Sequence, residues 1–199
     1  DQAKKDLLKA AEKLTSNTDL YIELAKISNV SNNNQEALQN INKALEIDPH
    51  NIEALNLSAF LKYKLNDMEG SKKDFETILK SKPNSAEAYF GHGNVMFLLD
   101  DFQSAITDYN KALQLDDSKA TYKVYYNRGF ALSRMGKHKE ALKDYGKSIE
   151  LKANNGEAWF NRGYSKFYLK DRFGACFDWS KAGELGYEDA YNVIQQHCQ

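Results

Sequence analysis

Apolar side chains fall three and four residues apart in short runs, polar joints separate the runs, and the whole figure returns after 34 residues. Slid against itself at that interval, the chain brings its only two prolines, Pro49 and Pro83, to one phase. Frames then open at Thr18, Ile52, Ala86, Tyr122 and Gly156. Position 4 of every frame is large: Tyr21, Leu55, Tyr89, Tyr125 and Trp159. Position 8 is small: Ala25, Ala59, Gly93, Gly129 and Gly163. Position 20 reads Ala37, Ser71, Ala105, Ala141 and Ala175, and position 24 reads Ile41, Phe75, Tyr109, Tyr145 and Trp179. The interval from the third frame to the fourth is 36 residues, and the polar joint DDSKA absorbs the difference, since a loop tolerates insertion at little cost.

Within a frame the apolar positions 4, 8 and 11 or 12, then 20, 24, 27 and 28, keep helical spacing with a break between them, so each frame predicts two helices joined by a turn. Small residues at 8 and 20 let the two backbones approach, and the bulky residues at 4 and 24 fill the space beside them. Neither helix buries its apolar face alone, whereas stacked neighbours build a core one repeat at a time. The expected fold is an all-α solenoid of helical hairpins with repeats at residues 18–51, 52–85, 86–121, 122–155 and 156–187. Extended backward, the phase puts Ala3, Leu7 and Ala10 at positions 20, 24 and 27, so residues 1–17 are expected to form a helix, the second half of a preceding repeat. Residues 188–199 are expected to form a capping helix with a polar outer face.

Composition narrows the function classes. Two prolines and eleven glycines are few for an all-β chain, whose many turns consume them. A formal net charge of -1 supplies no basic field for a polyanion, so nucleic acid is not an expected partner. No apolar run approaches the length that spans a bilayer, so membrane insertion is not expected either. Catalysis finds little support: His50, His92, His138 and His197 lie apart along the chain, no His or Cys pair has metal-ligand spacing, and no glycine-rich phosphate loop occurs. No cofactor or metal is expected.

The third frame, AEAYFGHGNVMFLLDDFQSAITDYNKALQLDD, has an aromatic residue at 4, Gly at 8, Ala at 20, an aromatic residue at 24 and Ala at 27, and it resembles the tetratricopeptide repeat. The resemblance covers residues 18–187 and departs at position 32, where Asp117, Ala153 and Tyr187 replace proline. The closing run CFDWSKAGELGYEDAYNVIQQHC, with its C-x-D-W-x-K-A-x-E-L-G pattern, resembles the terminus of bacterial members of that family. An exported, envelope-associated setting in a bacterium is accordingly favoured over the cytoplasm. The family implies a right-handed superhelix whose first helices line a concave groove for an extended peptide or a partner helix.

On that architecture positions 2, 5, 6, 9, 12 and 13 face the groove. The expected partner-binding residues are Phe90, Asn94, Phe97, Tyr126 and Asn127 from the third and fourth repeats. Phe130, Phe160, Asn161, Tyr164 and Phe167 continue the row, with Lys123 and Arg134 as cations at the groove edge. Amides pair with an extended backbone and rings select apolar side chains, so a protein or peptide ligand is favoured. Alternatively the rings pack on one another, leaving a structural, self-assembling module with its groove filled in cis or associating through its ends. A glycan-binding groove is a third reading. Some family members clamp a partner's C-terminal carboxylate with cations and asparagines. The equivalents here are Phe90, Asn94, Asn127, Glu157 and Asn161, in which the cations are missing, so a more apolar peptide is favoured over chaperone tails.

The run aromatic, aromatic, Asn, Arg, Gly occurs twice, as YYNRG from Tyr125 and WFNRG from Trp159. Asn127 and Asn161 fall on the groove, while Arg128 and Arg162 at position 7 turn about 100° further round the helix. They are expected to form structural inter-repeat pairs, Arg128 with Asp108 and Arg162 with Asp144, in preference to an anion site for a partner's carboxylate. Cys176 lies on the second helix of the last repeat and Cys198 on the cap expected to pack against it. If the chain is exported they are expected to form a disulfide; in the cytosol both stay small buried apolar residues. The reading is a non-catalytic protein-interaction scaffold.

Overall fold

A computed structural model describes residues 17–116 and 121–198, and all regular structure among the described residues is helical. Residues 1–16 of the helix expected over 1–17, and most of the DDSKA joint, Asp117 included, lie outside the described residues. The helices are α1 (Thr18–Val30), α2 (Asn34–Ile47), α3 (Ile52–Lys64), α4 (Met68–Ser81), α5 (Ala86–Leu98) and α6 (Phe102–Leu115). They continue with α7 (Tyr122–Arg134), α8 (His138–Leu151), α9 (Gly156–Tyr168), α10 (Arg172–Glu184) and α11 (Asp189–His197). The chain divides into two compact units, the first ending at Leu99 and the second beginning at Asp100.

Local chemistry starts and stops these helices. Side-chain oxygens of Asn17, Asn51 and Ser85 accept from the backbone N–H three residues on and so cap α1, α3 and α5. Asn33, Asp67, Asp101 and Asp171 do the same for α2, α4, α6 and α10. The turn inside each hairpin passes through one left-handed residue, always at position 15: Asn32, Asn66, Asp100, Gly136 and Lys170, with φ between 57° and 74°. Asparagine, aspartate and glycine tolerate that conformation best, and Lys170 is the departure.

In the first unit Ala25, Ala37, Ile41 and Ala44 are fully buried against Tyr21 and Leu24. Leu55, Ala59, Phe75, Ile78 and Ala88 continue that core towards Val95 on α5. In the second unit Phe160, Ala175, Trp179 and Ala182 close around Ala190 and Val193 of α11. The position-20 residues Ala37, Ser71, Ala105, Ala141 and Ala175 are all completely buried, as close helix approach requires.

Cys176 and Cys198 are joined in a disulfide, with Cα atoms 5.7 Å apart, that fastens the end of α11 to α10. The bond closes a loop with a sequence separation of 22 residues. Denying the unfolded chain that loop's freedom is worth about 3 kcal/mol in the chain-entropy picture. Cys198→Ser is therefore expected to lower stability by about that amount. Melts of the wild type with and without reductant check this: a melt indifferent to reductant would show that the bridge carries none of the stability.

Candidate functional site

Phe90, Asn94 and Phe97 lie on α5 in the first unit, each half-buried. In the second unit Tyr126, Asn127 and Phe130 on α7 and Asn161, Tyr164 and Phe167 on α9 are half-buried too. The rings of Tyr126 and Phe130 lie 6.2 Å apart. Asn161 Nδ2 donates to Tyr126 Oη at 3.1 Å and to the Glu157 carbonyl at 3.0 Å, tying α9 to α7. Burial raises the Tyr126 phenol well above its ordinary pKa and the nearby charge of Glu157 adds to the shift, so the hydroxyl keeps its proton. Lys123 and Arg134 are exposed at the two ends of α7.

Phe160 departs from its expected place on an open groove. It is a core residue, 9% exposed, with its ring 5.0 Å from Tyr164 and 4.5 Å from Tyr187. Phe167 is likewise engaged, 5.7 Å from Trp179 and 4.8 Å from His197. These are positions 5 and 12, and here Tyr187 and the closing helix cover them.

The arginine pairs also differ from expectation. Arg128 forms a two-pronged bond with Asp144, not Asp108: Nε donates at 2.7 Å and a terminal nitrogen at 2.6 Å. Arg162 bonds Asp178, not Asp144, at 2.8 and 2.9 Å, and Lys166 reaches the same carboxylate at 2.9 Å. In the first unit Lys62 bonds Asp74 at 2.7 Å. The arginine pairs run within a hairpin because its helices are antiparallel about position 15, and positions 7 and 23 stand equally far from that turn. The ring at position 4 covers each arginine from the other side, Arg162 lying 4.5 Å over Trp159 and Arg128 5.5 Å over Tyr125. Burial opposes the charge on Arg128, but its bond to Asp144 more than offsets this and its pKa rises. Both arginines are thus held between a ring and an acid.

A cavity of about 460 Å³ opens between α7, the turn into α8, and α9. Phe130, Asn161 and Tyr164 line it, as does Arg134. Its polar base is a chain of hydroxyls, with Ser133 Oγ 3.2 Å from Tyr145 Oη and 3.0 Å from Ser165 Oγ. In its lining His138 stacks on Tyr168, the ring centroids 4.6 Å apart. Burial lowers the pKa of His138 below the ordinary 6.5, and its Nδ1 is buried with no hydrogen-bond partner. The unfolded chain therefore takes up this proton first as pH falls. The stability His138 contributes is whole above pH 6.5 and is lost as pH drops through and below that value. Wild type is expected to lose stability against His138→Phe on acidification across this window, and a gap in denaturant midpoints that stays constant with pH would refute the assignment.

Models of the tetratricopeptide repeat match residues 30–91 and 122–155, and a further TPR repeat model matches residues 93–136. The chain is a tetratricopeptide repeat protein. Over 148 residues, 74% of its length, it is 30% identical to the Hsp70-Hsp90 organizing protein of Triticum aestivum. A DnaJ homolog subfamily C member 7 homolog of Schizosaccharomyces pombe is 28% identical over 102 residues, 46% of this chain. The repeat chain spans 24% and 21% of those two relatives. Among solved structures it is similar to YrrB, described as a TPR protein with an unusual peptide-binding site, with TM-score 0.77 and 21% identity over 95% of this chain and 97% of that one. MamA from Desulfovibrio magneticus RS-1 gives TM-score 0.79 and 18% identity over 86% and 96%. At those identities the likeness is one of fold.

Among the described residues of this tetratricopeptide repeat chain, no helix is long and apolar enough to cross a membrane. The repeat pattern gave no sign of Asp178, Lys166 and Ser133, of a cavity beside His138, or of an exposed ring pair on α10. Phe173 is 88% and Phe177 51% exposed, where the second helices of the other repeats carry Gln35 and Gln39, Glu69 and Lys73, Gln103 and Thr107, or Lys139 and Lys143.

Proposed function

We propose that this chain is a non-catalytic scaffold whose second unit binds an extended segment of a partner protein along α7 and α9. The observation that carries the reading is the surface those helices share: half-buried rings and asparagines tied together by the Asn161 to Tyr126 bond, beside a preformed cavity. Preformed apolar surface with a few fixed polar groups is what an extended ligand needs for affinity and register. The wheat relative's name speaks of chaperone organisation, but the cations that would clamp a partner's C-terminal carboxylate are absent at Phe90 and Glu157, so an internal segment is the better ligand. A short-peptide library panned on the chain is expected to return a shared motif, and Phe130→Glu is expected to weaken binding at least about tenfold while helicity is kept. An empty library, or binders indifferent to Phe130→Glu, would sink the reading.

The exposed pair Phe173 and Phe177 favours a second reading, self-association through the last repeat. Mass that rises with concentration in the wild type but not in Phe173→Lys supports it; a monomer at every concentration removes it.

A further inference from the structure

Position 12 of the first helices holds Asn29, Tyr63, Phe97, Ser133 and Phe167, so the fourth repeat has a serine where three others have a ring. A cavity opens beside Ser133, where those repeats carry the ring. Its volume of about 460 Å³ falls within the range of about 300–1,000 Å³ typical of ligand pockets. Phe130 and Tyr164 on one side and the His138–Tyr168 stack on the other give it walls for a planar group. Its base, unlike its walls, is polar.

The polar base is also unfinished. Three hydroxyls in a row, from Tyr145 through Ser133 to Ser165, use two protons in bonding one another and leave one proton and several lone pairs for a further partner. Asn161 spends its Nδ2 on Tyr126 and Glu157, which leaves Oδ1 as an acceptor. His138 Nδ1 is buried without a partner. A purely apolar occupant would leave these groups unpaired, and an unpaired buried polar group costs about 1–3 kcal/mol. A ring carrying one hydroxyl supplies a donor and an acceptor to the Ser133 chain. At the mouth, Arg134 is 51% exposed, lies 5.0 Å over Phe102 and reaches Asp100 only at 3.9 Å, so its charge is weakly engaged.

We infer that this cavity is an anchor pocket for a tyrosine side chain of a partner protein, read together with an acidic neighbour that pairs with Arg134. The inference rests on the reading of α7 and α9 as a protein-binding surface and names what that surface selects. A phenol ring fills the cavity beside position 12, its hydroxyl completes the Ser133 and Ser165 chain, and a carboxylate on the adjoining residue meets the guanidinium at the rim.

The test pans a random short-peptide library, displayed with both peptide ends blocked or fused, on the wild-type chain, on Ser133→Phe and on Arg134→Glu, with p-cresol as a free phenol probe. The wild type is expected to return tyrosine beside aspartate or glutamate. Ser133→Phe fills the cavity and is expected to cut binding of those peptides at least about tenfold and to abolish the tyrosine requirement. Arg134→Glu, an exposed change that leaves the fold intact, is expected to keep tyrosine and lose the acidic neighbour, and it decides the question even if Ser133→Phe does not fold. Binders with no tyrosine requirement, or an acid preference untouched by Arg134→Glu, overturn this inference and leave the peptide-binding reading standing. p-Cresol bound as tightly as the peptides overturns the protein partner in favour of a small phenol. An empty library overturns both readings.

Discussion

Asp178→Ala is expected to destabilise the protein by about 3–5 kcal/mol, the range seen when one partner of a buried ion pair is removed. Asp178 is completely buried, and its two oxygens accept from Arg162 and from Lys166 at 2.8 to 2.9 Å. Removing the carboxylate leaves two cations facing one another without a counter-charge, Lys166 keeping only the Gly174 carbonyl at 3.4 Å. Asp144→Ala is expected to cost less, because among the described residues Asp144 pairs with the single cation Arg128, which keeps a second acceptor, Asn110, at 2.7 Å. Denaturant unfolding followed by circular dichroism measures both. A loss below about 1 kcal/mol for Asp178→Ala, the range of exposed pairs, would mean that water already reaches the carboxylate.

Trp179→Ala is expected to cost about 3–5 kcal/mol. Trp179 is fully buried, and its Nε1 donates to the Phe160 carbonyl at 3.2 Å. Its ring lies 5.3 Å from Tyr164 and 5.7 Å from Phe167, so truncation opens a cavity under the whole last repeat. The same packing makes the reverse change costly. A Cβ at Gly163 would stand 2.6 Å from Trp179 Cδ1 and Nε1 and 3.2 Å from the Ala175 carbonyl, and neither the enclosed indole nor the backbone can withdraw. Gly163→Ala is expected to lose about 1–3 kcal/mol. Adding Trp179→Phe to Gly163→Ala should recover part of it, since the smaller ring vacates the space. The two losses adding independently would refute the claim that these residues share one contact.

Fold class and inner faces were legible from the repeat. Small residues at positions 8 and 20 and large ones at 24 recur because two helices in contact demand them in every unit, and all five position-20 residues are completely buried. The left-handed turn residue at position 15 was equally visible, as Asn32, Asn66, Asp100 and Gly136, and the hairpin axis it defines would have paired position 7 with position 23. Helical phase alone pointed Arg128 and Arg162 away from the groove but could not tell which neighbouring helix they meet. Asp178 went unread for the same reason.

Periodicity is a property of one helix, and the sequence by itself therefore determined the all-α hairpins and the small and large positions at which their two helices meet. Which partner a side chain meets depends on helices that arrive from elsewhere. Tertiary structure alone decided that Phe160 is core, because Tyr187 and the closing helix cover a position that looks open in one repeat taken alone. It alone decided that a cavity opens beside the serine at 133, because its lining comes from α7, α8 and α9, and one helix's periodicity does not say how far its neighbours stand from it.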